Sequence, residues 1–220
     1  RLTPPSTSLG SAQSQMEGAV KMAHIEYFFA TTSPFTYLAG TRMEEVAARH
    51  GATINYRPLD IVALFARTGG TAPKDRHPAR LDYRLQELNR LSRKHGLPMN
   101  LEPPFRAVNP APSSYALIAA AKAGVGDLGK LVHAFTGAVW RDMRDIAEDD
   151  EIRACLEEAG FDPGLAGMGM LAGAEEYTRN LEDAVNAGAF GAPFYIVDGS
   201  EKFWGQDRIE DLDLHLSGKL

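Results

Sequence analysis

Ser33 and Pro34 stand at a position in this sequence where side-chain chemistry and local structure meet. They follow an apolar run ending in two threonines and open a segment whose pattern predicts a helix. Serine is a favoured N-cap residue and proline is well tolerated at the first helical position, so helix capping is one explanation of the pair. A hydroxyl there also lies beside unpaired backbone N–H groups at the positive end of a helix, which can hold an anion. Both roles fit the residues. A Ser/His/Asp hydrolase is not indicated, because Ser33 lacks the G-x-S-x-G turn.

A second position of interest is Pro193, which follows Gly191 and Ala192 directly before a predicted strand. Proline in a sheet is confined to edges, strand starts and bulges, and a cis X–Pro bond in such a place usually serves a purpose. A plain strand-opening proline and a cis proline beside a site are both compatible with the sequence.

The single cysteine, Cys155, makes neither an intramolecular disulfide nor a CxxC redox pair. Helical periodicity turns it inward, so it is predicted to be a small buried hydrophobic residue. This removes dithiol oxidoreductase chemistry from consideration, and no metal site is predicted.

Composition excludes further classes of function. The 220 residues carry a net charge of −6, with no Lys/Arg run longer than Arg93-Lys94, so no nucleic-acid partner is expected. Apolar windows such as Tyr115–Ala121 and Phe190–Val197 fall short of the ~20 residues of a membrane span, so no membrane partner is expected either. Residues 1–21, rich in Ser, Pro, Gln and Gly, predict a flexible extension. One thiol and no export signal predict a cytoplasmic protein.

The elements that must position Ser33 and Pro193 are predicted in the order β-α-β, a block of helices, then β-β-α. The predicted strands are 25–30, 52–57, 194–197 and 202–204, with a turn at 198–200, and the predicted helices are 34–50, 75–95, 113–123, 128–144, 152–159, 174–187 and 206–216. This order indicates an α/β fold with a central sheet built from residues 22–74 and 188–220. Residues 75–187 are predicted to form an inserted all-helical domain.

Several motifs occur in an order that resembles a known family. They are Ser33–Ala39 (SPFTYLA), Ala79–Arg90 (ARLDYRLQELNR), His95–Pro98 (HGLP), Phe135–Trp140 (FTGAVW), Gly191–Val197 (GAPFYIV) and Phe203–Leu212 (FWGQDRIEDL). Together they resemble the 2-hydroxychromene-2-carboxylate isomerases, relatives of the kappa-class glutathione transferases and, more distantly, of the disulfide oxidoreductase DsbA. The resemblance implies a thioredoxin-like central sheet with the inserted helical domain.

The resemblance also implies a glutathione site. Ser33 takes the place where a redox relative carries its attacking cysteine, so the thiol would come from bound glutathione, with Phe35 next to it. Ala192, before a cis-Pro193, would offer its backbone N–H and C=O to the tripeptide as an added strand. Gln206 and Asp207, at the start of the last helix, would hold the γ-glutamyl end, with Asp207 facing its ammonium group.

The implied reaction converts a hydroxychromene carboxylate to a trans-benzylidenepyruvate: the glutathione thiolate would add, a single bond would rotate, and the thiol would leave. The carboxylate of this small aromatic partner needs a cation, and the family carries a basic residue near Arg80, where lysine is expected. Tyr83 and Asn109 are the other predicted substrate residues, and Arg57 and Lys74 are weaker candidates. Relatives suggest a homodimer.

Two other functions remain open at this point. A kappa-like glutathione transferase or peroxidase would use the same thiolate on a different electrophile. A non-catalytic thioredoxin-fold module would bind peptides or thiols as a scaffold.

Overall fold

The computed structural model describes residues 22–168 and 170–220, so the predicted extension at 1–21 lies outside the described residues. The sheet has four strands, β1 (His24–Phe29), β2 (Thr53–Pro58), β3 (Phe194–Val197) and β4 (Glu201–Trp204). The α-helices are α1 (Pro34–Ala39), α2 (Arg42–His50), α3 (Ile61–Thr68), α4 (Pro78–His95), α5 (Ala111–Ala123), α6 (Leu128–Trp140), α7 (Asp149–Glu158), α8 (Met170–Ala187) and α9 (Ile209–Leu216). Short 3-10 turns occur at Pro73–Asp75 and Pro163–Ala166.

The strand order β2-β1-β3-β4 brings the distant ends of the chain together. β1 is parallel to β2 and antiparallel to β3, with Phe28 opposite Phe194. β3 is antiparallel to β4, with Phe194 opposite Trp204. Because of these directions, the end of β1, the start of β3 and the end of β4 lie at one edge of the sheet. Ser33, Pro193 and the segment after Trp204 therefore share that edge.

Two apolar layers cover the sheet, one on each face. The larger contains alternate residues of β1, Ile25, Tyr27 and Phe29, packed with side chains of α1, α2, α5, α6 and α7. The smaller contains Phe28 and Phe194 packed with α3 and α8. This division follows the two-residue period of a strand, and it explains why β3 and the second half of β1 consist of apolar and aromatic residues.

The predicted fold class is confirmed, but several boundaries were wrong. The predicted helix 34–50 is two helices, because Gly40 leaves the helical region with φ 59° and ψ −136° and its N–H returns to the Tyr37 carbonyl. The predicted helix 128–144 ends at Trp140, and Met143 has φ 57°. Helix α3 had no counterpart in the prediction, and the helix predicted from 75 starts at Pro78. The domain boundaries stay a prediction.

Glu44 of α2 is a carboxyl group that the fold holds away from water. The Tyr56 hydroxyl donates to its Oε1 at 3.1 Å, whereas its Oε2 is buried and has no hydrogen-bond partner within the described residues. Burial raises the pKa of Glu44, and the hydrogen bonds from its own backbone N–H and from Tyr56 oppose that effect only in part. The ionised form therefore costs folding free energy.

Glu44→Gln is expected to raise the free energy of unfolding at neutral pH by about 1 kcal/mol, because an unpaired buried charge is removed. A folded-state pKa above the ordinary value of 4.5 means that the wild type loses stability as pH rises from that value through the raised one. Urea unfolding on both sides of this window checks the sign, since the two proteins should converge on the acid side. Glu45→Gln, at an exposed position of the same helix, is the control. A difference independent of pH would contradict the assignment.

Candidate glutathione and substrate site

The loop after β1 presents Ser33 at the start of α1 and is fixed from three sides. Ser33 N donates to the Ala30 carbonyl at 3.0 Å. The hydroxyls of Thr31 and Ser113 are 2.9 Å apart, and the buried Trp140 donates from Nε1 to the Thr32 carbonyl at 3.0 Å. The position of Ser33 is therefore set by α5 and α6 as well as by its own helix.

The Ser33 hydroxyl caps α1 as a hydrogen-bond acceptor, and its own hydrogen is not used in that bond. Its Oγ accepts a hydrogen bond from Thr36 N at 3.2 Å, as an N-cap side chain does. Its own hydrogen has no acceptor among residues 22–168 and 170–220, although the side chain is only 8% exposed. Phe35, a predicted glutathione residue two positions after Ser33, is half-buried against the core. The arrangement provides one hydroxyl donor at a helix start, suited to an anion.

The Ala192–Pro193 peptide bond is cis. The Pro193 carbonyl accepts from Gly205 N at 2.9 Å, which ties this bend to the end of β4. In the described parts of the chain, neither the N–H nor the C=O of Ala192 has a hydrogen-bond partner. Since Ala192 lies two residues before β3 at the edge that holds Ser33, an extended peptide has a donor and an acceptor to pair with there.

Gln206 and Asp207 lie in a turn before the last helix rather than at its start, because α9 begins at Ile209. Gln206 is buried, and its Oε1 accepts from Arg42 Nη2 at 2.7 Å and contacts His95 Nε2 at 3.1 Å. Burial, followed by the charge of Arg42, lowers the pKa of His95, so this ring is neutral at neutral pH and donates to Gln206. Asp207 is exposed, and its carboxylate lies 3.4 Å from Arg208.

The predicted substrate residues lie on two segments, α4 and the turn before α5. Arg80 and Tyr83 are exposed on α4, and Arg90 lies over the Tyr83 ring at 5.5 Å. Asn109 is exposed, and its Oδ1 accepts from Ala111 N at 3.1 Å, so the side chain helps to start α5. Their assignment as substrate residues stays a proposal.

The two weaker candidates have different surroundings. Arg57 is enclosed by Glu26, at 3.1 Å, and by Asp183, so its charge is already paired. Lys74 is exposed in the first 3-10 turn. Neither contact set indicates a substrate site.

Sequence reasoning missed Arg84, the neighbour of Tyr83. Its guanidinium carbon lies 5.9 Å from the centre of the Trp140 ring, beside the loop that holds Ser33. The signal in the sequence was the four-residue spacing from Arg80, which places both arginines on one face of α4.

Cys155 is fully buried in α7, and burial raises the pKa of its thiol to about 12. No thiolate from the polypeptide is available near neutral pH. Within the described ranges no group of three or more His, Cys, Asp or Glu side chains could hold a metal ion. Nor does any helix there combine the length and apolar character that crossing a membrane requires.

The thioredoxin-like sheet, the cis proline and the helical insertion define the structural class of this protein. A family model described as a DSBA-like thioredoxin domain matches residues 24–217, and the chain belongs to this DsbA-like family. A 2-hydroxychromene-2-carboxylate isomerase from Sphingobium xenophagum is 30% identical over 195 residues, which cover 87% of this chain and 97% of that protein. The predicted family resemblance is thus confirmed.

Solved structures show the same fold. A 2-hydroxychromene-2-carboxylate isomerase superposes with a TM-score of 0.71 at 24% identity, over 89% of this chain and 95% of that one. The cytosolic disulfide reductase DsbM from Pseudomonas aeruginosa, solved with GSH, superposes with a TM-score of 0.62 at 15% identity, over 89% and 98% of the two chains.

Proposed function

We propose that this protein is a glutathione-dependent isomerase that acts on a 2-hydroxychromene-2-carboxylate or a closely similar aromatic catabolite. Support for the isomerase role comes from the relative from Sphingobium xenophagum, which bears that name and aligns over 97% of its own length. Support for glutathione comes from the disulfide reductase of the same fold solved with GSH.

The observation that carries the proposal is the Ser33 hydroxyl, a buried N-cap whose own hydrogen has no acceptor among the described residues. When bound, glutathione would supply the nucleophilic sulfur that a chain with one inert cysteine lacks. Ser33 would donate its hydrogen to that sulfur and so favour the ionised form.

The remaining predicted glutathione residues fit this arrangement. The unpaired N–H and C=O of Ala192 would pair with the backbone of the tripeptide. Asp207 would attract its ammonium group, and the amide nitrogen of Gln206 is available because its oxygen is engaged by Arg42 and His95. Phe35 would border the same edge.

On the substrate side, the proposal requires a cation for a carboxylate and a path for one bond to rotate. Arg80, Tyr83 and Asn109 remain proposed substrate residues, all on or after α4. A homodimer and a cytoplasmic location also stay predictions.

The test is turnover of 2-hydroxychromene-2-carboxylate with glutathione in catalytic amounts. An isomerase should convert many equivalents of substrate per glutathione and leave the free thiol concentration unchanged. Stoichiometric loss of glutathione with a haloarene, and no isomerisation, would instead indicate a kappa-like transferase. If the protein neither binds glutathione nor turns over substrate, a non-catalytic thiol- or peptide-binding module is the remaining function.

A further inference from the structure

Arg84 of α4 is a part-buried arginine without an acidic partner. Its guanidinium carbon lies over the Trp140 ring, 5.9 Å from the ring centre, and its Nε is buried with no hydrogen-bond partner inside the described ranges. No carboxylate in those ranges forms an ion pair with it, whereas Arg57 and Arg144 both have one. A buried donor left unpaired is uncommon, and each case requires a reason.

The surroundings of Arg84 add positive charge. Burial lowers its pKa first, and the charges of Arg76 and Arg106 lower it further, with Glu87 opposing them. The Nε of Arg76 and the Nη1 of Arg106 donate to main-chain carbonyl oxygens, at 2.8 and 3.0 Å, rather than to carboxylates. Arg84 is thus a part-buried cation with an unpartnered Nε in a region of further positive charge, which costs folding free energy unless an anion joins it.

Arg84 adjoins the proposed thiol site through Trp140. Trp140 contacts Arg84 through its ring and donates through Nε1 to the carbonyl of Thr32, the residue before Ser33. Helices α1 and α4 also pack together. A planar guanidinium recognises a carboxylate through two parallel hydrogen bonds.

We propose that Arg84 binds the carboxylate of the aromatic substrate, with Arg76 and Arg106 raising the local positive potential. This inference rests on the proposed function and deepens it. It places the principal carboxylate contact one helical turn after Arg80, on the same face of α4.

Arg84→Met separates a binding role from a structural one. Salicylate and its neutral counterpart salicylamide serve as probes, and Trp140 fluorescence in a Trp204→Phe background reports their binding, because the sequence has two tryptophans. Salicylate should bind about 10- to 100-fold more weakly to Arg84→Met, as expected for a lost charged hydrogen bond, and salicylamide should be unaffected. KM for the hydroxychromene carboxylate should rise by a similar factor.

Two further variants sharpen the result. Arg93→Met removes an exposed arginine near the end of the same helix, and it should change neither probe. Arg84→Lys keeps the charge without the two-pronged geometry, so it should be intermediate. The unfolding temperature of Arg84→Met without ligand should be equal to or higher than that of the wild type. If Arg84 were only structural, its loss would lower the unfolding temperature.

The inference is overturned if the wild type does not prefer salicylate to salicylamide, or if both Arg84 variants keep wild-type salicylate affinity and KM. If the protein is not an isomerase, the results differ in a recognisable way. Salicylate binding that depends on Arg84, in a wild type that shows no isomerisation, would refute the isomerase and retain the anion site.

Discussion

Ser33→Ala is expected to lower isomerase turnover by about 100- to 1000-fold, the usual loss when one donor to a reacting anion is removed. Bound glutathione should lose its thiolate ultraviolet absorbance at neutral pH, because the pKa of its thiol would return towards the free value of about 8.5. Titrating glutathione into each protein and following that absorbance measures the effect directly. Glutathione should still bind through Ala192 and Asp207.

Typical interaction free energies indicate why the Ser33 hydroxyl should contribute most to lowering the pKa of the glutathione thiol. Bringing a thiol pKa from about 8.5 to below 7 takes roughly 2 pKa units, or about 3 kcal/mol. A helix start contributes about 0.3–2 kcal/mol and a hydrogen bond to a charged atom about 1.5–3 kcal/mol. Since α1 has only six residues before the break at Gly40, we expect the helix contribution at the lower end. The hydroxyl must then supply most of the shift.

A capping control separates thiol activation from stability, because Ser33→Ala also removes the N-cap bond to Thr36. Asp127→Ala removes an equivalent cap, whose Oδ1 accepts from Lys130 N at 3.0 Å at the start of α6. Each should cost about 1 kcal/mol in unfolding free energy. Only Ser33→Ala should abolish the thiolate signal, and an unchanged signal in that variant would contradict the mechanism.

That the proposed glutathione residues lie together could be predicted from the sequence, because each sits in a short motif next to a strand end, whereas their role came from the family resemblance and stays a proposal. Ser33 follows β1, Pro193 precedes β3 and Gln206 follows β4, so pairing of the strands alone brings them to one edge. The cis form of the Ala192–Pro193 bond was one of two readings that the sequence left open.

The substrate side could not be read in the same way, because it depends on how helices rotate against one another. Arg80, Tyr83 and Arg84 lie within about one turn of α4, and the sequence does not show which of them meets Trp140. The break at Gly40 was hidden for a related reason. Met43, Val46 and Ala47, the inward-facing residues of α2, continue an apolar period that a single helix would also produce.

Arg42→Met is expected to lower the free energy of unfolding by about 2–3 kcal/mol, because it removes several hydrogen bonds from one partly buried charge. Arg42 donates to the carbonyls of Leu38 and Ala39, at 2.9 and 3.1 Å, where α1 ends, and at 2.7 Å to Gln206. The change should also weaken glutathione binding by about 10-fold, since Gln206, in the turn that carries Asp207, loses its hydrogen bond from Arg42. Urea unfolding and calorimetric titration with glutathione measure the two effects.

The matched control is Arg49→Met on the same helix. Arg49 makes an exposed ion pair with Asp213 of α9 at 3.0 Å, and such pairs contribute at most about 1 kcal/mol. Glutathione affinity should not change in this variant. Equal losses in both variants would indicate that Arg42 acts only through the charge of α2.

The thiolate signal distinguishes Arg42 from Ser33. At saturating glutathione, Arg42→Met should keep the full absorbance, because Ser33 is intact, whereas Ser33→Ala should not recover it at any concentration.

Combining Arg42→Met with Gln206→Leu tests whether Arg42 affects glutathione affinity through Gln206. If Arg42 positions the turn through the Gln206 oxygen, the double variant should bind glutathione no more weakly than the weaker single variant, because the second change removes a contact already lost. Additive losses would mean that the two side chains act on glutathione independently.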